Sequence, residues 1–272
     1  MSDINLSSAV RSSLSSLQST ADLLGQTQER LATGNRVNSA LDDPTAFFTA
    51  SSLNNRASDL STLLDQQQQA IRTVEAADTG LSAISDLVDS ARAQATAALQ
   101  TDDAAARADA TAAFNGILRQ IEGIAEDSSF NGTNLLNGDS LTVVFNEDGS
   151  NTLGVTGVDF ADAATGPLAL ADVTFVAGDD VAINDALAAI DTALGTIRST
   201  SASLGADLST IQVRQDFTAN LINTLETGAG DLTLADLNEE GANLLTLQTR
   251  QQLASTSLSF ATQADQSVLS LF

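Results

Sequence analysis

Residues 29–48 read ERLATGNRVNSALDDPTAFF. The stretch interrupts two long helical patterns with a glycine, an Arg-Val-Asn-Ser run and an Asp-Asp-Pro. Gly34 suits either a phosphate-cradling loop or the end of a helix, and Asp42 with Asp43 suits either a metal or acid/base pair or the start of one. The chemical readings lack their partners, because the chain contains no Lys and no further ligand cluster lies nearby. The structural reading accounts for all three features. Gly34 takes the left-handed C′ position that closes the first helix. Asp43 and Pro44 take the N-cap and N1 positions that open the second. Residues 35–42 are then a connector between two coaxial helical layers.

On either side the apolar residues recur every three and four positions. Before the connector the seam runs Val10, Leu14, Leu17, Ala21, Leu24, Gln28 and Leu31. After it, a second runs from Leu53 through Leu60, Leu64, Gln67, Ile71, Val74, Asp78, Leu81 and Ser85 to Val88, and a third from Ile183 to Leu225. The last comprises Leu244, Leu247, Gln251, Ala254, Leu258, Ala261, Asp265, Val268 and Phe272. A period near 3.5 sustained over such lengths predicts long helices packed as left-handed coiled coils. The final helix carries a second stripe on another side, with Leu253, Ser257, Phe260, Ala264, Ser267 and Leu271. One neighbour cannot cover both stripes. Since burying a Leu or Phe side chain is worth roughly 1.5–3 kcal/mol, the terminal seams are expected to serve as surfaces for other copies of the chain.

Between the long helices, Phe114, Ile117, Leu118, Ile121 and Ile124 predict a shorter helix over about 104–127, and LTVVFNEDGSNTLGVTGVDF (141–160) predicts a β-hairpin or two. Within it Asn146, Asp148 and Ser150 alternate as in a calcium loop, but the bidentate Glu is missing, which favours a hairpin turn. The fold class is therefore mainly α: a hairpin-like subunit of long coiled-coil helices from both chain ends with a small β region in the middle.

Composition excludes most chemistry. The 272 residues include no Cys, no His and no Lys, so thiol, imidazole and Schiff-base catalysis and the usual zinc ligand sets have no residues to use. No enzyme activity, cofactor or metal is expected. A formal net charge of −24 disfavours nucleic acid and anionic lipid. No run of about 20 apolar residues predicts a membrane span. The N-terminus shows no basic region followed by an apolar one, so if the protein leaves the cell the expected route is one that needs no cleaved signal.

The segment 29–60 resembles the N-terminal signature of bacterial flagellin, Glu-Arg-Leu-x-(Ser/Thr)-Gly-x-Arg-Ile-Asn-Ser-Ala-x-Asp-Asp, with Val37 in place of the usual Ile. FNGTNLLNG (130–138) resembles the family's Phe-Asn-Gly turn, and residues 242–272 resemble its C-terminus with the closing Val-Leu-Ser-Leu. The resemblance covers about residues 4–138 and 183–272. It implies an inner domain from paired terminal helices and an outer domain from the longer ones. Accordingly 1–42 is the N-terminal half of the inner domain plus connector, 43–138 and 183–230 the two parts of the outer domain, 139–182 a short β-containing insert, and 231–272 the C-terminal inner half.

The resemblance further implies a structural subunit of the flagellar filament, outside the cell, exported unfolded through the flagellar type III apparatus and polymerising for swimming motility. Its implied partners are other copies of itself, hook-associated junction and cap proteins, and an export chaperone at the C-terminal helix. A hook–filament junction protein shares both terminal signatures, and a secreted acidic binding module is the more distant alternative. Many flagellins carry Leu-Gln-Arg-Val-Arg-Glu-Leu, bound by the flagellin-sensing Toll-like receptor. The aligned stretch here is VDSARAQ (88–94), in which Asp89, Ser90, Ala93 and Gln94 depart while Val88 and Arg92 match in kind, and a later acidic position falls at Ala113. The resemblance therefore implies weak or no recognition by that receptor.

Overall fold

The computed structural model describes residues 8–269. Its elements are α1 (Ser8–Thr33), α2 (Pro44–Leu99), α3 (Ala104–Asp127), β1 (Ser140–Val144), β2 (Thr152–Thr156), α4 (Val181–Thr233) and α5 (Leu237–Leu269). They form two compact units, one made of residues up to 55 with those from 224 onward, the other of residues 56–223. Both α2 and α4 contribute to both units.

In the central unit α2, α3 and α4 share one apolar core. Along α4 each predicted seam position from Ile183 to Leu225 is buried or half-buried, and along α2 the exception is Asp78. Asp78 accepts a hydrogen bond from the Ser201 hydroxyl at 3.0 Å, so the polar seam positions of the two helices meet. The buried face of α2 is wider than one seam. Ala70, Ala77, Ile84, Ala91, Ala95 and Ala98 lie beside it and are buried too, because two helices cover it rather than one. α3 begins where the Asp103 carboxylate caps the Ala106 N–H at 2.8 Å. It ends at a turn held by Asn134, a buried side chain that donates to the Ala125 and Glu126 carbonyls at 2.8 Å each and accepts from the Leu136 N–H at 2.9 Å.

One hairpin follows, in which β1 and β2 pair antiparallel with Leu141 opposite Val155 and Val143 opposite Leu153. Val143, Phe145 and Val155 point into the core. The Asn146, Asp148 and Ser150 set closes the hairpin turn: Asp148 accepts from the Ser150 N–H at 3.0 Å and hydroxyl at 2.8 Å, while Asn146 accepts from the Asn151 N–H at 2.9 Å. Residues 157–180 cross the unit without a further strand and are fastened by Arg107. All five guanidinium N–H groups of this buried side chain are used, on the carbonyls of Thr101, Val176 and Asp179 and the carboxylates of Asp102 and Asp180.

Candidate assembly surface

In the unit formed by the chain ends, α1 packs against α5. The pair is antiparallel: Arg30 in the last turn of α1 meets Glu240 in the first turn of α5 at 3.0 Å, whereas Leu17 lies beside Gln251 and Ser255. Each charge also faces the favourable end of its own helix dipole, the cation at a C-terminus and the anion at an N-terminus. Along α5 the seam residues Leu244, Leu247, Gln251, Ala254, Leu258 and Ala261 are buried or half-buried. Along α1 Val10 is buried and Leu17, Leu24 and Leu31 are half-buried, but Leu14, Ala21 and Gln28 are exposed. Thr20 and Thr27 are buried instead. Phe272 and the side chain of Val268 lie outside the described residues, as does Leu271.

The described residues of the second stripe of α5 are uncovered, with Leu253 63% and Phe260 66% exposed and Ser257, Ala264 and Ser267 exposed too, and beside the stripe Leu245 is 66% exposed. Spaced by eight and seven residues, Leu245, Leu253 and Phe260 lie along one flank of the helix. Leu23 on α1 is exposed as well.

The connector is built from local chemistry. Gly34 has φ +74° and donates its N–H to the Arg30 carbonyl at 2.8 Å, the left-handed closure of a helix. Asp43 accepts from the Ala46 N–H at 3.0 Å, and Pro44 opens α2. Between them residues 34–37 are stitched to the α4–α5 junction. The Arg36 N–H reaches the Thr233 carbonyl at 2.7 Å, its side chain reaches the Leu232 carbonyl at 3.0 Å, and the Ala235 N–H returns to the Gly34 carbonyl at 3.0 Å. Val37 is buried at this junction. Asp42 closes a turn of its own, accepting from the N–H groups of Ser39 at 2.9 Å and Asn38 at 3.0 Å and from the Ser39 hydroxyl at 3.2 Å. These bonds, the Ser39 N–H foremost, hold its carboxyl below the ordinary carboxylate range. Sequence reasoning missed the roles of Asp42, Arg36 and the Arg30–Glu240 pair. Only the first had a local signal, a carboxylate three residues after Ser39.

On α2, Val88 is buried and Asp89, Ser90 and Ala93 are exposed, with Gln94 intermediate. Ser90 donates back to the Asp86 carbonyl at 2.9 Å. Arg92 is half-exposed and ion-paired with Asp191 of α4. Ala113 lies exposed on α3. Among the described residues no three His, Cys, Asp or Glu side chains gather as a metal site, and no helix is long and apolar enough to cross a membrane.

Comparison with known proteins bears on the same two chain ends. The family model of the bacterial flagellin N-terminal helical region matches residues 4–140, and that of the bacterial flagellin C-terminal helical region matches 187–272. Flagellin FljM of Caulobacter vibrioides is 32% identical over 275 residues, spanning 100% of this chain and 99% of its own. A flagellin of Brucella melitensis is 32% identical over 284 residues, with the same shares. A crystal structure of Bacillus cereus flagellin covers 56% of this chain and 88% of its own at 21% identity and a TM-score of 0.49.

Proposed function

The chain belongs to the bacterial flagellin family, and we propose that it leaves the cell unfolded through the flagellar type III apparatus and polymerises at the filament tip to drive swimming. As a family member it is a structural subunit of the extracellular flagellar filament, self-assembling and not an enzyme. On this reading the α1–α5 pair is the inner domain, the three-helix unit with its hairpin is the outer domain, and the seams from Val10 to Leu31 and from Leu244 onward, which seat α1 on α5 within the subunit, leave the other flank of α5 to hold copies together. The observation that carries it is the uncovered flank of α5. Leu245, Leu253 and Phe260 together offer several kcal/mol of burial to a neighbour. A helix with one face on α1 and a second apolar flank in water has the form of an unfinished interface.

The remaining partners follow from the same family reading. Junction and cap proteins meet the chain at the filament ends, and an export chaperone covers α5 before assembly, when its apolar flank would otherwise be exposed. Recognition by the flagellin-sensing Toll-like receptor is weak, because only Arg92 remains of the charged residues in that stretch and Asp191 already engages it.

Electron microscopy of the purified full chain at neutral pH, beside a chain lacking 244–272, tests the assignment. The full chain should form long filaments. The truncated chain should remain soluble and helical, since the core of the central unit lies within residues 70–211, and should not elongate seeds. Short capped stubs from the full chain would favour a junction protein, and seeded growth of the truncated chain would remove α5 from the assembly surface.

A further inference from the structure

We propose that the turn at residues 38–42 is a rigid docking knob through which one copy of the chain engages the next, with Leu41 as its apolar anchor; the inference rests on the filament reading above. Leu41 is 96% exposed, more than any other large apolar side chain among the described residues. A single exposed leucine is ordinary. Its support is not. The Asp42 carboxylate takes the N–H groups of Asn38 and Ser39, the Asp42 N–H reaches the Ser39 carbonyl at 3.2 Å, and the Leu41 N–H reaches the Ser39 hydroxyl at 3.2 Å. The backbone is thus tied at Leu41 itself and on both sides of it. An anchor held in advance loses little conformational freedom on docking.

None of the bonds that close this turn uses the Leu41 side chain, so its folding does not require leucine there. The connector's inward apolar residue is Val37, which is buried. Leu41 faces outward with no described residue covering it, while Phe48, Leu234 and Leu237 of the same unit are also exposed. The occupant is a second copy. The family self-assembles, and of the large apolar side chains left exposed among the described residues nine belong to this unit and five to the larger central one. The knob therefore belongs to the unit that carries most of the exposed apolar side chains. Between copies that each carry a formal charge of −24, an uncharged anchor also attracts without adding repulsion.

The chain has no cysteine, so Leu41→Cys supplies a single thiol in the full-length protein. Its reaction with a small maleimide should be at least about tenfold slower in filaments grown with excess wild-type chain than in the monomer. Leu41→Asp should raise the critical concentration for polymerisation at least about tenfold, with the helical circular-dichroism signal and melting temperature of the wild type. If wild-type chain polymerises but the filament thiol reacts as fast as the monomer thiol, or Leu41→Asp assembles at the wild-type concentration, the knob is refuted and the filament reading stands. Failure of the wild-type chain to polymerise would overturn the filament reading itself.

Discussion

Arg107→Met tests whether the central unit depends on one buried cation. The guanidinium, 1% exposed, donates from Nε to the Thr101 carbonyl at 2.6 Å, from Nη1 to the Val176 and Asp179 carbonyls at 2.6 and 3.1 Å, and from Nη2 to the Asp102 and Asp180 carboxylates at 3.1 and 2.6 Å. It joins the α2–α3 loop to the strap that enters α4. Methionine keeps much of the volume and removes every donor. The two carboxylates are 86% and 52% exposed and regain water at little cost. The Thr101 and Asp179 carbonyls lose the charged donor, and Val176 keeps only the Asp179 N–H at 3.2 Å. Taking one partner out of a buried network costs about 3–5 kcal/mol, and the exposed acceptors place this case at the lower end, near ~3 kcal/mol. For a unit of this size that is a fall in melting temperature of roughly 6–12 °C. Arg107→Lys retains the charge but cannot span five acceptors, and should recover about half. Thermal and urea unfolding of monomer followed by circular dichroism give the comparison. If Arg107→Met melts within about 1 kcal/mol of wild type, the strap is held by its apolar residues and the hub argument fails.

Two helical glycines should respond in opposite directions to the same change. Alanine at an exposed helix interior gains about 0.5–1 kcal/mol over glycine, and Gly205→Ala, with nothing within 4 Å of the new methyl, should show that gain on unfolding. Gly80→Ala should lose stability, because its Cβ would stand 2.8 Å from the Ser128 Cβ and 2.9 Å from a Leu136 methyl; a neutral result would mean the turn after α3 yields easily. Gly34→Val places a β-branched residue at φ +74°, should cost at least about 1 kcal/mol locally, and is expected to alter filament shape or motility while secretion persists; wild-type swimming would remove the need for this turn. Asp42, depressed below its ordinary 3.8 by the Ser39 and Asn38 N–H groups, contributes to its turn above that value and loses the contribution as pH falls through the lowered one, so an amide titration in which the Asn38 and Ser39 signals move with a midpoint at or above 3.8 contradicts the assigned bonds.

What could be read from sequence depended on how local its cause was. Gly34, Asp43 and Pro44 declare themselves because a helix end is made within four residues. The α4 seam was legible because its apolar side chains repeat over many turns. In α1 the same counting chose Ala21 and Gln28, whereas the structure buries Thr20 and Thr27. Threonine misleads a hydropathy count. The Thr20 hydroxyl is satisfied by its own helix, donating to the Ser16 carbonyl at 2.8 Å, which leaves the methyl free to pack. Arg107 was illegible for the opposite reason. Its acceptors lie as far away as Asp180, and nothing about an arginine in an alanine-rich helix announces them.

The connector shows why both chain ends must be present for this unit to have a defined geometry. Most of its cross-links are between main-chain groups, Arg36 and Val37 to Thr233 and Ala235 to Gly34, so side-chain identity is weakly constrained there while backbone path is strongly constrained. Gly34 must turn left for its carbonyl to meet Ala235, and α4 must end at Thr233 for that carbonyl to receive two N–H groups. Once those bonds form, Arg30 and Glu240 fall opposite one another and fix the register of α1 on α5. A one-residue slip would separate the charges and turn the buried threonines of α1 outward. The register that seats one face of α5 on α1 also decides which flank of the helix is left uncovered. Leu245, Leu253 and Phe260 are therefore displayed by the same few backbone hydrogen bonds that close the subunit.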